Sequence, residues 1–261
     1  VDNPSKEDWI RIPIDRTNII VDGRILYHTR SNVIIIAASQ FANPITFYDT
    51  KGTPGLNDDK FVNITTFVDQ DGRDFSNIRN SVIFQDRRGR VWIGTDNGVF
   101  EIADPKALVN NPSTPVTRIK VPRNDGTNLA DYLLSGQLIL SISEDSSGRK
   151  WIATAENGVY LVSEDGTQII ENYTADNSPL PSNKVNAVAC DPAGNSVFFG
   201  TPFGLVEYSA TSSPSKPDYS EIIAYPNPVR PDFSGWITIK GLMDNSLVKI
   251  ADSAGNVIFT T

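Results

Sequence analysis

An all-β fold is what this sequence predicts, and three observations predict it. Gly, Pro, Asn and Asp together make up 80 of the 261 residues, a density of turn formers that suits short strands joined tightly. The apolar runs are about five to seven residues long and are bounded by Gly, Asp or Asn, too short for ordinary helices. The third observation is a recurring pattern: an Asp-x-x-Gly turn, a short apolar strand ending in Thr, a tight turn, then a second apolar strand.

The pattern is clearest at residues 86–102 (DRRGRVWIGTDNGVFEI), 145–162 (DSSGRKWIATAENGVYLV) and 191–208 (DPAGNSVFFGTPFGLVEY), with a fainter copy at 22–38 (DGRILYHTRSNVIIIAA). Registered on the strand-ending threonine, the copies fall at Thr29, Thr95, Thr154 and Thr201, spaced by 66, 59 and 47 residues. The shortest spacing is that of a four-stranded propeller blade, and the longer ones carry insertions. Each unit reads as strands A to D. Strand A is the apolar run before the aspartate, at 18–21, 81–84, 138–142 and 185–190, and the two strands of the pattern are B and C. Strand D falls at 45–48, 116–121 and 168–173. Glycine supplies the positive φ that the A–B hairpin needs, and the aspartate can bond its own backbone two residues on.

Domain organisation follows: blades over residues 1–208, a Ser/Pro-rich linker at 209–218, and at 219–261 the first part of an immunoglobulin-like β-sandwich. An orphan strand, residues 8–15 (DWIRIPID), precedes the first unit. We expect a piece of a larger propeller; the competing expectation is that the orphan fills the empty D position and closes a four-bladed ring. The formal charge of −8 argues against non-specific binding to nucleic acid or an anionic membrane. No apolar run approaches the 18 residues of a membrane span.

The motif Asp-x-x-Gly-x-x-Trp-Ile-Gly-Thr-x-x-Gly-Val, carried by Asp86, Gly89, Trp92, Gly94, Thr95 and Gly98 and again by Asp145, Gly148, Trp151, Thr154 and Gly158, resembles the two-component regulator propeller repeat. Such repeats build periplasmic sensor domains of hybrid histidine kinases in Bacteroidetes and a surface component of the type IX secretion system. The tail, YPNPVRP followed by VKIADSAGNV, is similar to the start of a type IX C-terminal sorting-type domain. The resemblance implies an exported, non-enzymatic binding or scaffold protein at a Gram-negative cell surface. Its implied partners are an outer-membrane, sortase-containing secretion complex, with lipopolysaccharide or glycan as a further ligand. The alternative it leaves open is a ligand-sensing propeller of a hybrid regulator. Relatives of the secretion type have more blades and a longer sandwich than this chain holds.

No catalytic residue, metal site or cofactor is expected. One cysteine, Cys190, and one histidine, His28, cannot make a thiolate or imidazole zinc site. Cys190 reads as a buried small hydrophobe, and His28 as a packing substitution in strand B of the first unit, level with Gly94, Ala153 and Gly200. The acidic turn at 69–74 lacks the Gly and Glu positions of an EF-hand loop. Trp92 and Trp151 read as blade packing; Trp9 and Trp236, as packing of the orphan strand and the sandwich. Connections alternate between the two faces of a propeller, so the B–C turns share one face with the D–A connections. That face collects Asp96, Asn97, Glu156, Asn157 and Phe203 from the turns, with Arg123 and Tyr132 from a long connection. These seven are the candidate ligand or partner residues: charge, amide and aromatic groups on loops of a rigid scaffold.

Overall fold

The computed structural model describes residues 24–37, 45–53, 58–76, 78–123, 125–191, 196–209, 222–230, 232–235, 237–242, 246–252 and 254–260. The orphan strand, the predicted strand at 18–21, most of the linker, Trp9 and Trp236 lie outside them.

Four antiparallel sheets carry the repeat. Blade 1 runs β1 (Arg24–His28), β2 (Val33–Ala37), β3 (Ile45–Asp49), β4 (Lys60–Ile64), paired in that order. A hairpin, β5 (Thr66–Val68) with β6 (Asp74–Ser76), leads to blade 2: β7 (Asn80–Gln85), β8 (Val91–Thr95), β9 (Gly98–Ile102). Helix α1 (Pro105–Asn110) and a second hairpin, β10 (Lys120–Pro122) with β11 (Ala130–Tyr132), precede blade 3. Blade 3 is β12 (Ile139–Glu144), β13 (Lys150–Thr154), β14 (Val159–Val162), β15 (Ile169–Tyr173), and blade 4 is β16 (Ala187–Cys190), β17 (Ser196–Thr201), β18 (Gly204–Ser209). In the tail, β19 (Ile223–Tyr225) pairs with β20 (Thr238–Lys240) and β21 (Lys249–Ala251) with β22 (Val257–Thr260). The all-β propeller reading therefore holds. The first strands β1, β7, β12 and β16 neighbour one another in turn, and the array is open among the described residues.

Core burial follows from strands covered on both faces. All five residues of β8 and of β13 are buried, so neither needs to alternate. Trp92 joins the core between blades 2 and 3, whereas Val91 and Ile93 join that between blades 1 and 2. Trp151 repeats the device one blade on. Each tryptophan thus plugs its own blade against the next.

The Asp turn recurs with one geometry. Asp86 N–H donates to Arg90 O (3.0 Å), Gly89 N–H to Asp86 O (2.8 Å), and Asp86 Oδ1 accepts from Arg90 N (2.8 Å). The same three bonds close the turns at Asp145, at Asp69 between β5 and β6, and at Asp252 in the tail. The acidic turn at 69–74 is therefore a hairpin of the repeat's own type. Asp86 Oδ2 also accepts from the Trp92 indole (3.1 Å) and from Arg90 Nε (2.9 Å). Burial alone would raise the Asp86 pKa, but the Arg90 and Trp92 hydrogen bonds and the Lys150 and Arg90 charges hold it below the ordinary carboxylate value. A carboxyl depressed on folding stabilises above its unfolded pKa of about 3.9, and that contribution disappears as pH falls through the folded value. Between about pH 5 and pH 2, thermal melts of the Asp86→Asn variant are expected to fall less steeply than those of the parent chain.

Three expectations are corrected. The first unit is displaced by one strand. Leu26 and Ile35 face the core between blades 1 and 2, as Phe84 and Trp92 face the next interface. This sets Ala37 level with Gly94, so Thr29 is not an equivalent of Thr95. His28 ends the first strand, at the place of Asp86, and not in strand B. The turn of this unit uses Asn32 at φ 55° where the repeats use glycine; Asp22 and Gly23 lie outside the described residues. Consequently 45–48 is the third strand of its blade and β4 the fourth. Residues 116–121 do not form a full fourth strand: Thr117 bridges Glu101, Val116 bridges Asp69, and Lys120–Pro122 turns away to pair with β11. Helix α1 is also new, started by Asp104 accepting from Lys106 N (2.9 Å) with Pro105 in its first turn.

Candidate functional site

The turn and connection face is held together by Arg118. Its side chain is only 4% exposed, and its guanidinium lies between two rings, 4.1 Å from the Tyr132 centroid and 4.6 Å from that of Phe75. One terminal nitrogen donates to Ser135 Oγ (3.1 Å) and to Asn97 O (3.4 Å). Its backbone is clamped by Gln70, which accepts from Arg118 N (2.8 Å) and donates to Arg118 O (2.9 Å). Arg118 thereby ties the β5–β6 hairpin, the B–C turn of blade 2 and the connection into blade 3. Buried beside aromatic faces, a planar cation gains more than in water.

Above it stands Tyr132. Its hydroxyl donates to Asp71 Oδ2 (2.5 Å), and Lys120 Nζ donates to the same carboxylate (2.8 Å to Oδ2). The Lys120 and Tyr132 hydrogen bonds draw the Asp71 pKa down, and the bond to Asp71 raises that of Tyr132. Arg73 and Lys120 lie 5.7 and 5.8 Å from the Tyr132 ring centroid. Three cations thus gather round one half-buried phenol, in a chain of net charge −8.

A second run of contacts continues across blade 3. Gly98 N–H donates to Gln137 O (3.0 Å), the Gln137 side chain accepts from Asn157 Nδ2, and Asn157 O accepts from Asn172 Nδ2 (3.0 Å). Of the seven candidates, the structure gathers Asn97 and Tyr132 around Arg118 and links Asn157 to that group through Gln137. Asp96 is spent locally, its Oδ1 accepting from Arg79 N (3.1 Å). Arg123 forms a two-point pair with Asp131 (2.7 and 2.5 Å) on the β10–β11 hairpin. Glu156 is exposed at the tip of the blade 3 turn. Phe203 is 76% exposed on blade 4, outside this cluster.

Sequence reading missed Arg118, Asp71, Ser135 and Gln137. Arg118 lay in a segment read as an ordinary outer strand, and only the turn of the chain at Lys120–Pro122 carries it inward. Replacing it by methionine, Arg118→Met, keeps the length of the side chain but removes the charge and the bonds to Ser135 and Asn97. We expect a loss of about 1–3 kcal/mol in urea denaturation.

The opposite face carries a belt of ion pairs. Arg87 Nε meets Glu144 (3.0 Å) and Arg88 meets Glu164 (2.6 Å) between blades 2 and 3, and Arg90 bridges Asp86 and Glu101 within blade 2 (2.9 and 3.0 Å). His28 joins blades 1 and 2 there: Nε2 donates to Gly89 O (2.7 Å), since a carbonyl can only accept, and Nδ1 accepts from Ser31 Oγ (2.6 Å). Cys190 is half-buried, and burial pushes its thiol up to about 11. Such a thiol is protonated near neutrality and a poor nucleophile.

A family model described as "Two component regulator propeller" matches residues 74–97, the stretch from β6 through the Asp86 turn and β8 into the turn before β9. Among solved structures, the chain resembles PorZ, a bacterial surface component of the type IX secretion system of Porphyromonas gingivalis. The TM-score is 0.71 at 25% identity, covering 92% of this chain and 32% of that one. The extracellular domain of a one-component system from B. thetaiotaomicron is similar in fold, with a TM-score of 0.50 at 17% identity over 73% of this chain and 24% of its own. "Histidine kinase P4" of Formosa agariphila is 25% identical over 88 residues, 34% of this chain and 6% of its own length. The chain therefore spans about a third or less of each of these relatives, and it is PorZ-like in fold and repeat. No helix among the described residues is long and apolar enough to cross a membrane.

Proposed function

We propose that this chain is part of an exported, non-enzymatic binding platform which, like PorZ, serves the type IX secretion machinery at the cell surface. The observation that carries the reading is the Arg118 cluster. A buried cation fixes three separate loops of a blade array, and Tyr132, Lys120, Arg73 and Asp71 are presented outward from it. Groups pre-positioned in this way lose little freedom on meeting a partner. The tail sequence from residue 219, which resembles the start of a sorting-type domain, supports the secretion branch; within it the Asp252 turn joins β21 and β22.

The partner class we infer is an outer-membrane or sortase complex, with lipopolysaccharide or glycan as a second ligand. Recognition is local, because the net charge of −8 opposes long-range attraction of anionic sugars. A pull-down from outer-membrane extract of a type IX-secreting bacterium tests it. The parent chain is expected to recover secretion-system components, and Tyr132→Ala with Glu156→Lys to recover at least about fivefold less. Recovery of none, or equal recovery by the variant, counts against the reading. A sensor role is the second reading, favoured by the Formosa kinase similarity; oligosaccharide binding without recovery of any secretion component would select it.

A further inference from the structure

Between blades 3 and 4 lies a cleft of about 180 Å³. β15, the loop at 177–180, β17 and β18 supply its walls, and every lining residue is among the described ones. An apolar cavity of about 150 Å³ holds benzene, so the volume suits one ring with a short arm. Tyr173, Leu180, Phe199, Val206 and Tyr208 make the walls aromatic and aliphatic. The buried Trp151 packs behind them, its ring centroid 5.8 Å from that of Tyr173, 5.5 Å from Phe199 and 5.3 Å from Tyr208. One ring backing three others holds the wall in a single arrangement, so an entering ring meets a preformed surface.

Polar groups decide what kind of ring fits. The loop is spent on itself: Ser178 Oγ donates to Thr174 O (2.5 Å), Asn177 Nδ2 donates to Asn172 O (2.9 Å), and Asn177 Oδ1 accepts from Thr174 N (2.7 Å). A hexose in the cleft would therefore bury most of its hydroxyls unmatched, which is costly. The Tyr173 and Tyr208 hydroxyls lie 3.2 Å apart. Such a pair shares one of its two protons and leaves the other for an acceptor on a ligand. Burial and the bond to Tyr208 raise the Tyr173 pKa, which keeps this phenol protonated near neutrality. Glu207 completes the lining, its Oε1 fixed by Ser196 Oγ (2.5 Å). Glu171 also acts on Tyr173, whereas the nearby Arg149 is committed to Asp145 (2.8 Å). The local charge is thus negative and favours a cation.

We propose that the cleft binds a small aromatic amine. Its ring lies against the Tyr173, Phe199 and Tyr208 wall, an oxygen on the ring accepts from the phenol pair, and its ammonium meets Glu207. Ring and ammonium act together, because the wall alone would take any apolar ring and the carboxylate alone any cation. The cleft is separate from the Arg118 cluster, so the proposal stands or falls independently of the function inferred above.

The test is an NMR titration of the full chain with tyramine, with 4-hydroxyphenylacetate as the anionic counterpart and 2-cyclohexylethylamine as the ring-saturated one. Tyramine is expected to bind with a Kd of about 0.1 mM, and each counterpart at least about tenfold more weakly. In Glu207→Gln, tyramine should weaken about tenfold while 4-hydroxyphenylacetate tightens, a pair of opposite shifts that a misfolded variant cannot give. The proposal is overturned by absence of tyramine binding up to about 5 mM, by equal binding of either counterpart, or by an unchanged tyramine affinity in Glu207→Gln. Amide shifts on tyramine addition that fall outside blades 3 and 4 would overturn it as well.

Discussion

Lys150→Ala is expected to cost the blade array about 3–5 kcal/mol in chemical denaturation, the range for leaving buried charges without their partner. Lys150 is fully buried, with its ammonium donating to Gly148 O and Glu164 O (both 2.8 Å) and reaching Glu144 (3.4 Å) and Asp86 (3.5 Å). It also lies 5.2 Å from the Trp92 ring centroid. Deleting it strips two carbonyls of a donor and leaves Asp86 and Glu144 facing each other without that cation. Lys150→Met restores the packing but not the charge, so the difference between the two variants separates packing from electrostatics. A loss below about 1 kcal/mol for Lys150→Ala would mean that Arg90 and Arg87 already neutralise the belt.

The second large effect belongs to Gly158→Ala, with an expected loss of about 3–5 kcal/mol. Gly158 has φ +69°, and a Cβ there would lie 1.9 Å from Tyr173 O. The Gly158 N–H is also bound to Asn183 O (2.8 Å), and its carbonyl accepts from Thr154 N (3.0 Å), so the turn cannot slide away. Strain and overpacking each cost about 1–3 kcal/mol. Gly72→Ala is the control: φ is +75°, but nothing lies within 4 Å of its Cβ. It should lose only the conformational part, about 1–2 kcal/mol. Equal melting shifts for the two variants would refute the clash argument.

The blades were legible because their cause is local. Asp-x-x-Gly turns and short apolar runs specify a hairpin wherever they occur, and the recurrence at Asp86, Asp145 and Asp191 gave the unit. The first blade departs from the pattern because His28 and Asn32 do the turn's work without its letters. Of the candidate face, the B–C turns could be located by alternation of connections. The grouping round Arg118 could not, since it brings Gln70, Asn97 and Tyr132 together from separate loops, and no local pattern records that. The same limit hid the Lys150 belt: its partners Asp86, Glu144 and Glu164 come from two blades.

The sheets touch in sequence through their first strands, and Trp92 and Trp151 plug the seams between blades 2 and 3 and between blades 3 and 4. Elasticity in such a row is set joint by joint. A tensile load applied at the two ends would be borne in series and would part the weakest seam first, so the molecule should lengthen in discrete steps, one per sheet, when drawn out by an optical trap.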